Sequence, residues 1–382
     1  MELGCRGFDF LKIAKGSLAL VLKIFLRVLF SLLLAAPPGI GLAATGIRNL
    51  DSPAIKLKAP DKIVLIAITR AGNRLVAVGE HGGIAYSDDN GIGWTQAAVP
   101  VDVTLTSVAF VDAQHGWAAG HYGVILHTND GGLTWQEQLN GLQANQLTMD
   151  AAQQAVKDGD QSLGAPLAVR RAQFFLEGGP DKPFFSILAT SPQDAMVFGA
   201  YRMVMRTQDG GKTWQDWSLH IGDRLSHNLY DVATDGNSIF IAAETGLTFV
   251  STDGGQSFPE TTQPTDASLF AVSPTGDGGI FVCGVAGRAA LSEDGGQSWT
   301  SVFVGSSSNL TSAHLLPSGI LVVAAESGRI FVSRDHGRSF TVLSDVPPMS
   351  VYDFTQAQDD DLVAVGSGGV FVVPSKNLNK SN

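Results

Sequence analysis

The chain has 382 residues, 44% of them hydrophobic, with 44 glycines against 16 prolines and a formal charge of −11. That hydrophobic share excludes a disordered chain, the negative balance argues against a phosphate-binding groove, and two cysteines are too few for a disulfide framework once the first falls in a leader. Glycine spread along the whole length points instead to an all-β chain of short strands and tight turns.

The first segment reads as a targeting sequence. Arg6, Lys12, Lys15, Lys23 and Arg27 precede the apolar run Val28-Leu29-Phe30-Ser31-Leu32-Leu33-Leu34-Ala35-Ala36, and Gly41-Leu42-Ala43 fits a small-x-small cleavage site. Residues 1–43 are therefore expected to be a signal peptide or an uncleaved anchor, and 44–382 the folded part. A spanning helix of about 20 residues is disfavoured by Lys23 and Arg27. Cys5 lies in the leader, and Cys283 sits in a strand pattern, Ile280-Phe281-Val282-Cys283-Gly284, as a buried small hydrophobe.

A repeat then organises the rest. Ser/Thr-x-Asp-x-Gly-x-Ser/Thr-aromatic occurs at Thr128 to Trp135, Thr207 to Trp214, Ser251 to Phe258, Ser292 to Trp299 and Ser333 to Phe340. A variant at Ser87 to Trp94 carries Gly93 in place of the second hydroxyl residue. The closing aromatics stand at positions 94, 135, 214, 258, 299 and 340, a regular recurrence broken once, between Trp135 and Trp214, by an insertion. Eight positions before each box an apolar strand ends in Gly79, Gly120, Gly199, Ala243, Gly284 or Ala325, and a seventh copy ends in Gly366 without a box. Seven such units predict a seven-bladed β-propeller, each blade a four-stranded sheet with the box at its third turn. The last blade is one strand short, and Ala54-Ile55-Lys56-Leu57-Lys58, left over before the first blade, is expected to supply it and close the ring. The box is a folding device: its Asp accepts turn amides, its Gly takes positive φ, and its aromatic packs between sheets.

Residues 140–182 interrupt the period between blades 2 and 3. Gln146 to Lys157 and Pro166 to Leu176 have helical spacing, which predicts a helical hairpin with Phe174 and Phe175 as apolar anchors. Successive antiparallel turns alternate between the two ends of a blade, so the second-turn loops, the blade-to-blade connections and the hairpin share one face, opposite the boxes. On that face the loops bring Glu80, His81, His121, Tyr122, Tyr201, Arg202, Glu244 and Glu326 around the channel mouth, the expected site for a partner. His81 and His121 lack metal-ligand spacing, and neither a metal nor a cofactor is expected.

Boxes of this form in this rhythm resemble the BNR/Asp-box propellers. In its context Thr207-Gln208-Asp209-Gly210-Gly211-Lys212-Thr213-Trp214 is similar to the photosystem II stability/assembly factor family, over nearly all of the chain after the leader. The resemblance implies an exported, periplasmic or lumenal propeller that binds a membrane-protein client or an envelope complex without catalysis. It also implies an arginine-bearing face, to which Arg202, Arg206, Arg288 and Arg329 correspond, falling on or just after the second-turn landmarks. The expected partner is a membrane protein, not nucleic acid, and the expected state a monomer. Two alternatives remain. A sialidase-like glycosidase would need a Tyr nucleophile with its Glu base and three substrate arginines, and a glycan-binding propeller would need exposed aromatics.

Overall fold

The computed structural model describes residues 49–159, 164–222, 225–343 and 349–378, all within the compact unit Gly46–Asn382. The expected leader, residues 1–43, with its expected cleavage site, lies outside the described residues. Among the described residues no helix is long and apolar enough to cross a membrane.

The described residues form seven antiparallel sheets in chain order. Blade 1 contains β1 (Leu65–Ala71), β2 (Arg74–Gly79), β3 (Ile84–Ser87) and β4 (Thr95–Gln96). Blade 2 contains β5 (Leu105–Phe110), β6 (Gly116–Gly120), β7 (Ile125–Thr128) and β8 (Gln136–Leu139). Helices α1 (Gly141–Lys157) and α2 (Ala165–Gly178) follow. Blade 3 is β9 (Phe184–Ala189), β10 (Ala195–Gly199), β11 (Val204–Thr207) and β12 (Gln215–Asp216), and blade 4 is β13 (Leu229–Thr234), β14 (Ile239–Ala243) and β15 (Thr248–Ser251). Blade 5 is β16 (Leu269–Pro274), β17 (Ile280–Gly284), β18 (Ala289–Ser292) and β19 (Thr300–Ser301). Blade 6 is β20 (Leu310–Leu315), β21 (Leu321–Ala325), β22 (Ile330–Ser333) and β23 (Thr341–Val342). Blade 7 is β24 (Val351–Gln356), β25 (Leu362–Gly366) and β26 (Gly369–Val373), with α3 (Ser375–Leu378) after it.

The second strand of each blade is apolar nearly throughout, as in Leu75-Val76-Ala77-Val78 and Leu362-Val363-Ala364-Val365, because both of its faces are covered by neighbouring blades. The first strands touch one another in sequence and close the circle through β24 and β1. Box aromatics fill the seams between blades: Phe258 of blade 4 lies 6.1 Å from Phe198 of blade 3, and Phe340 of blade 6 lies 5.2 Å from Phe281 of blade 5.

Ring closure differs from the expected strand exchange. Ala54 donates its N–H to Val99 O at 3.1 Å, Leu57 donates to Gln96 Oε1 at 2.8 Å, and Gln96 Nε2 donates to Ile55 O. The segment is thus fastened to the rim of blade 1, and blade 7 keeps three strands. Just beyond the segment, Val370 of the last blade donates its N–H to Asp61 O at 2.9 Å. Pro53 and Pro60 bracket the segment and remove two of the donors that a ladder would use. Packing takes part in closure instead: Leu65, Ile68, Leu75 and Trp94 of blade 1 form one core with Val363, Val365 and Val370 of blade 7, and Ile68 N–H is accepted by Asp353 of blade 7. Blade 4 also falls short of four strands. Pro259 sits where its outer strand would run, and only the isolated bridge Phe249 to Glu260 remains.

Each box works as a cage for its carboxylate. Asp209 Oδ1 accepts from Thr213 N at 2.9 Å and from Thr207 Oγ1 at 2.9 Å, and Oδ2 accepts from Thr213 Oγ1 at 2.7 Å. The Thr213 amide first, then its hydroxyl, hold the Asp209 carboxyl down to about 2, and the Ser298 hydroxyl first, then its amide, hold Asp294 also to about 2. Both lie below the unfolded value near 3.9, so the stability they contribute is present above pH 4 and is lost as pH falls from 4 toward 2. The boxes' contribution to thermal stability should therefore be constant near neutrality and drop in that window. Asp209→Asn with Asp294→Asn should blunt the drop.

Candidate partner-binding face

In every blade the residue that follows the second strand donates its N–H to the carbonyl just before the first strand. Glu80 donates to Val64, His121 to Thr104, Ala200 to Pro183, Glu244 to Asn228, Val285 to Ser268, Glu326 to Asn309 and Ser367 to Ser350, all at 2.9–3.2 Å. The second turns and the starts of the inner strands therefore share one face, as expected from the alternation of turns. In five blades the middle residue of the turn is a non-glycine in the left-handed region: His81, Tyr122, Tyr201, Thr245 and Ala286, with φ of 54 to 57°. Side chains of the next blade hold three of these in place. Asn228 Oδ1 accepts Tyr201 N–H at 2.9 Å, Ser268 Oγ accepts Thr245 N–H at 3.1 Å, and Asn309 Oδ1 accepts Ala286 N–H at 2.9 Å. Blade 3 goes further, since Arg202, with φ 62°, occupies the position that is Gly82, Gly123, Gly246, Gly287 or Gly328 elsewhere.

The hairpin packs onto blades 2 and 3. Helix α1 begins at Gly141, ahead of the Gln146 start that the spacing predicts, because Asn140 caps it: its Oδ1 accepts Leu142 and Gln143 N–H while Gln143 reaches back to the Asn140 amide. The signal Asn-x-x-Gln is present in the sequence but precedes the apolar periodicity. Thr148 donates to Asp216 Oδ2 at 2.7 Å, tying α1 to β12, and Met149, Ala152, Ala168 and Ala172 form the seam between the two helices. Phe175 is fully buried among Ile125, Phe184 and Met203 and is a structural anchor, which corrects its expected role as a contact residue. Its neighbour Phe174 is 52% exposed and meets Tyr201, 45% exposed, edge-on at 5.8 Å.

The other expected residues divide as follows. Glu244 Oε2 accepts Asn228 N–H at 3.1 Å and Glu326 Oε2 accepts Asn309 Nδ2 at 2.9 Å, so both are half-buried at the mouth beside Glu80. His81 Nδ1 lies 3.1 Å from Asp102, and His121 is held toward its neutral form by burial. Arg288 and Arg329 are exposed just after their turns, while Arg202 is buried. Arg206 does not belong to this face. It lies within β11, where Met196 and Gln215 flank it on the neighbouring strands, and is ion-paired to Asp194 at 2.8 Å. It stacks over Trp217 and lines a small cleft with Gln208, Asp209 and Thr213 on the box side. Its place near the far end of β11 carries it away from the turn. Among the described residues no group of three His, Cys, Asp or Glu comes together to hold a metal.

Spacing misses one set of residues. A bulge at the start of each inner strand leaves its second residue out of register: Ile66, Thr106, Phe185, Tyr230, Phe270, Thr311 and Tyr352. Three consecutive blades place aromatics there, with Phe185 and Tyr230 at 5.4 Å and Tyr230 and Phe270 edge-on at 5.3 Å. Aligning the seven strand starts below their landmarks reveals this column. Asn228 links the arc to Tyr201, since Nδ2 donates to the Tyr230 hydroxyl at 3.4 Å while Oδ1 takes the Tyr201 amide.

A family described as Photosynthesis system II assembly factor YCF48 matches residues 63–159 and 180–263, a little under half of the chain; α1 lies within the first match and α2 in the gap between the two. A photosystem II assembly lipoprotein Ycf48 from Synechococcus sp. (strain CC9902) is 38% identical over 69 residues, 18% of this chain and 21% of that protein. A photosystem II assembly protein Ycf48 from Synechococcus sp. (strain JA-2-3B'a(2-13)) is 29% identical over 134 residues, 32% of this chain and 39% of that protein. The chain thus spans between a fifth and two-fifths of the length of these relatives. Among solved structures, YCF48 bound to D1 peptide superposes with a TM-score of 0.61 at 17% identity, over 84% of this chain and 98% of that one. A GH74 xyloglucanase from Xanthomonas campestris superposes with 0.58 at 12% identity, over 82% of this chain and 52% of that one. At those identities the likeness is one of fold.

Proposed function

From a chain that is a photosystem II assembly factor-like, Asp-box β-propeller, we propose an exported, non-catalytic binding factor that holds a membrane-protein client on the face bearing the second turns and the hairpin. The observation that carries this is the exposed pair Phe174 and Tyr201, an apolar surface at the junction of insertion and blade 3, set on buried Phe175. Rigidly seated aromatics on a preformed scaffold are what an interface centre uses. Arg288 and Arg329 are exposed on turns of the same face. The relatives named as assembly lipoproteins support a site of action on the exported side of a membrane, with residues 1–43 as signal or anchor. The structure of a relative with D1 peptide supports a protein segment as the ligand.

The glycosidase alternative has less support. Tyr201 packs its ring on Phe174 and Phe175, and Glu244 accepts the Asn228 amide, so neither forms the nucleophile and base pair that chemistry needs. Crosslinking of the full chain in its native membrane, followed by mass spectrometry, tests the proposal. Wild type should recover a membrane subunit, and Phe174→Ser with Tyr201→Ser should reduce recovery about tenfold at unchanged thermal stability, as expected for a central aromatic pair worth over ~1 kcal/mol. Equal recovery from both proteins would overturn it.

A further inference from the structure

The channel mouth beside the hairpin has its own chemistry. Phe185, Tyr230 and Phe270 form a half-buried arc from three adjacent blades, each ring within 5.4 Å of the next. Glu244, on the turn of blade 4, is tied to the arc through Asn228, whose N–H it accepts at 3.1 Å and whose Nδ2 donates to the Tyr230 hydroxyl at 3.4 Å. In blade 7 burial, reinforced by Glu326 and Glu80, raises the Tyr352 hydroxyl. Among the described residues none of these three glutamates forms an ion pair, and each presents at least one oxygen that accepts no hydrogen bond from them. Burial, reinforced by Glu244, pushes the Tyr230 hydroxyl up to about 12, so the phenol stays neutral and the mouth's charge comes from the carboxylates.

We propose that this mouth binds a cationic side chain, lysine or arginine, carried on an extended segment of the client, with the cation over the Phe185, Tyr230 and Phe270 rings and Glu244 as counter-ion. The inference rests on the client-binding reading of the face and names what the client must present there. Three features select a cation over other occupants. The ring faces are the negative pole of the aromatic quadrupole, so a cation gains where an anion is repelled. An apolar side chain would strip water from Glu244 without replacing it. The chain's net charge of −11 draws cationic segments toward it over longer range.

The test is fluorescence anisotropy of the full chain with labelled Gly-Gly-Arg-Gly-Gly and with the same peptide bearing citrulline, which keeps the shape of arginine and loses its charge. The arginine peptide should bind about tenfold more tightly, Tyr230→Leu should erase most of that preference, and Glu244→Gln should weaken it about threefold and flatten its salt dependence. Tyr230→Phe, which keeps the ring, should retain it, and this variant together with Glu244→Gln carries the test if Tyr230→Leu does not fold. Citrulline binding within about twofold of arginine, or a preference untouched by Glu244→Gln and Tyr230→Leu, would overturn the proposal. Client crosslinking run in parallel separates the two readings. Arginine preference without client capture sinks the client reading and leaves the cation site standing, whereas capture without arginine preference sinks the cation site alone.

Discussion

Asp353→Ala should lower the free energy of unfolding by about 3 kcal/mol, read from urea denaturation followed by tryptophan fluorescence. The Asp353 carboxylate stands where the ring closes. Its Oδ2 accepts Ile68 N–H of blade 1 at 3.0 Å, and its Oδ1 accepts Ser312 Oγ and His314 Nε2 of blade 6, each at 2.8 Å. One side chain of blade 7 thereby braces the blades on both sides of it. Ile68 and Ser312 are buried, so the truncation strands donors that water cannot reach, at roughly 1–3 kcal/mol each. The pH dependence has a definite sign. Burial alone would lower the His314 pKa, but Asp353 outweighs it and raises the group. Stability from this pair is therefore fully present below the ordinary imidazole value near 6.5 and fades as pH rises through the raised one, so the variant's deficit should shrink on the alkaline side. An unchanged midpoint at pH 6 would show that blade packing alone closes the ring.

Blade 4 repeats the brace at the same strand position with different chemistry. Asp231 accepts Ser186 Oγ of blade 3 and Val272 N–H of blade 5, each at 3.0 Å, and burial pushes its carboxyl up to about 6. The two aspartates lie three blades apart in the third position of β13 and β24. Elsewhere that position holds Ala67, Ser107, Ser186, Ala271 and Ser312, all small residues. Inner strands are thus spaced by short side chains that reach sideways to the next blade, which is why the column contains nothing bulky.

That column explains which parts of the molecule are legible in the sequence. Boxes and landmarks recur because each repeats one local hydrogen-bonded or sterically closed turn, so blade number, turn order and the two faces can be read from spacing. The landmark glycines mark a lack of space: a Cβ on Gly284 would lie 2.1 Å from Ser268 O, whereas Ala243 fits with its backbone turned to φ −137°. Features that depend on two distant segments cannot be read in this way. Whether Ala54–Lys58 pairs with β26 or with the rim of blade 1 is decided by residues well down the chain: Gln96, which engages Leu57 N–H and Ile55 O, and Val99, whose carbonyl accepts Ala54 N–H. Phe174 and Phe175 are adjacent and chemically alike, and only the docking angle of α2 sends one into the core and leaves the other in solvent. Arg206 escapes for a simpler reason: distance from the turn is visible in the spacing, but the side of the blade that a strand residue reaches is not.

The turns themselves support a prediction of opposite signs at neighbouring residues. Gly287→Ala should destabilise the protein by about 3 kcal/mol, while Ala286→Gly should stabilise it by about 0.5 kcal/mol. Gly287 has φ 73°, and a Cβ there would sit 2.0 Å from Ser306 O in the connection leading to blade 6. Left-handed backbone costs an alanine about 1 kcal/mol, and moving a packed carbonyl by more than ~1 Å adds an overpacking cost of about 2 kcal/mol. Ala286 already bears the first of these costs, at φ 54°, without the second, because its side chain is exposed and its amide is satisfied by Asn309 Oδ1 at 2.9 Å. Removing its Cβ therefore relieves strain, and the larger conformational freedom of unfolded glycine takes back part of the gain. Differential scanning calorimetry of the two variants reads both signs. A gain that vanishes when Asn309 is also replaced by alanine would tie the left-handed residue to the neighbouring blade. Five turns share this residue and three show the same side-chain bond, so the strain on this face would then be held by contacts between blades, and each blade would depend on the next for its turn.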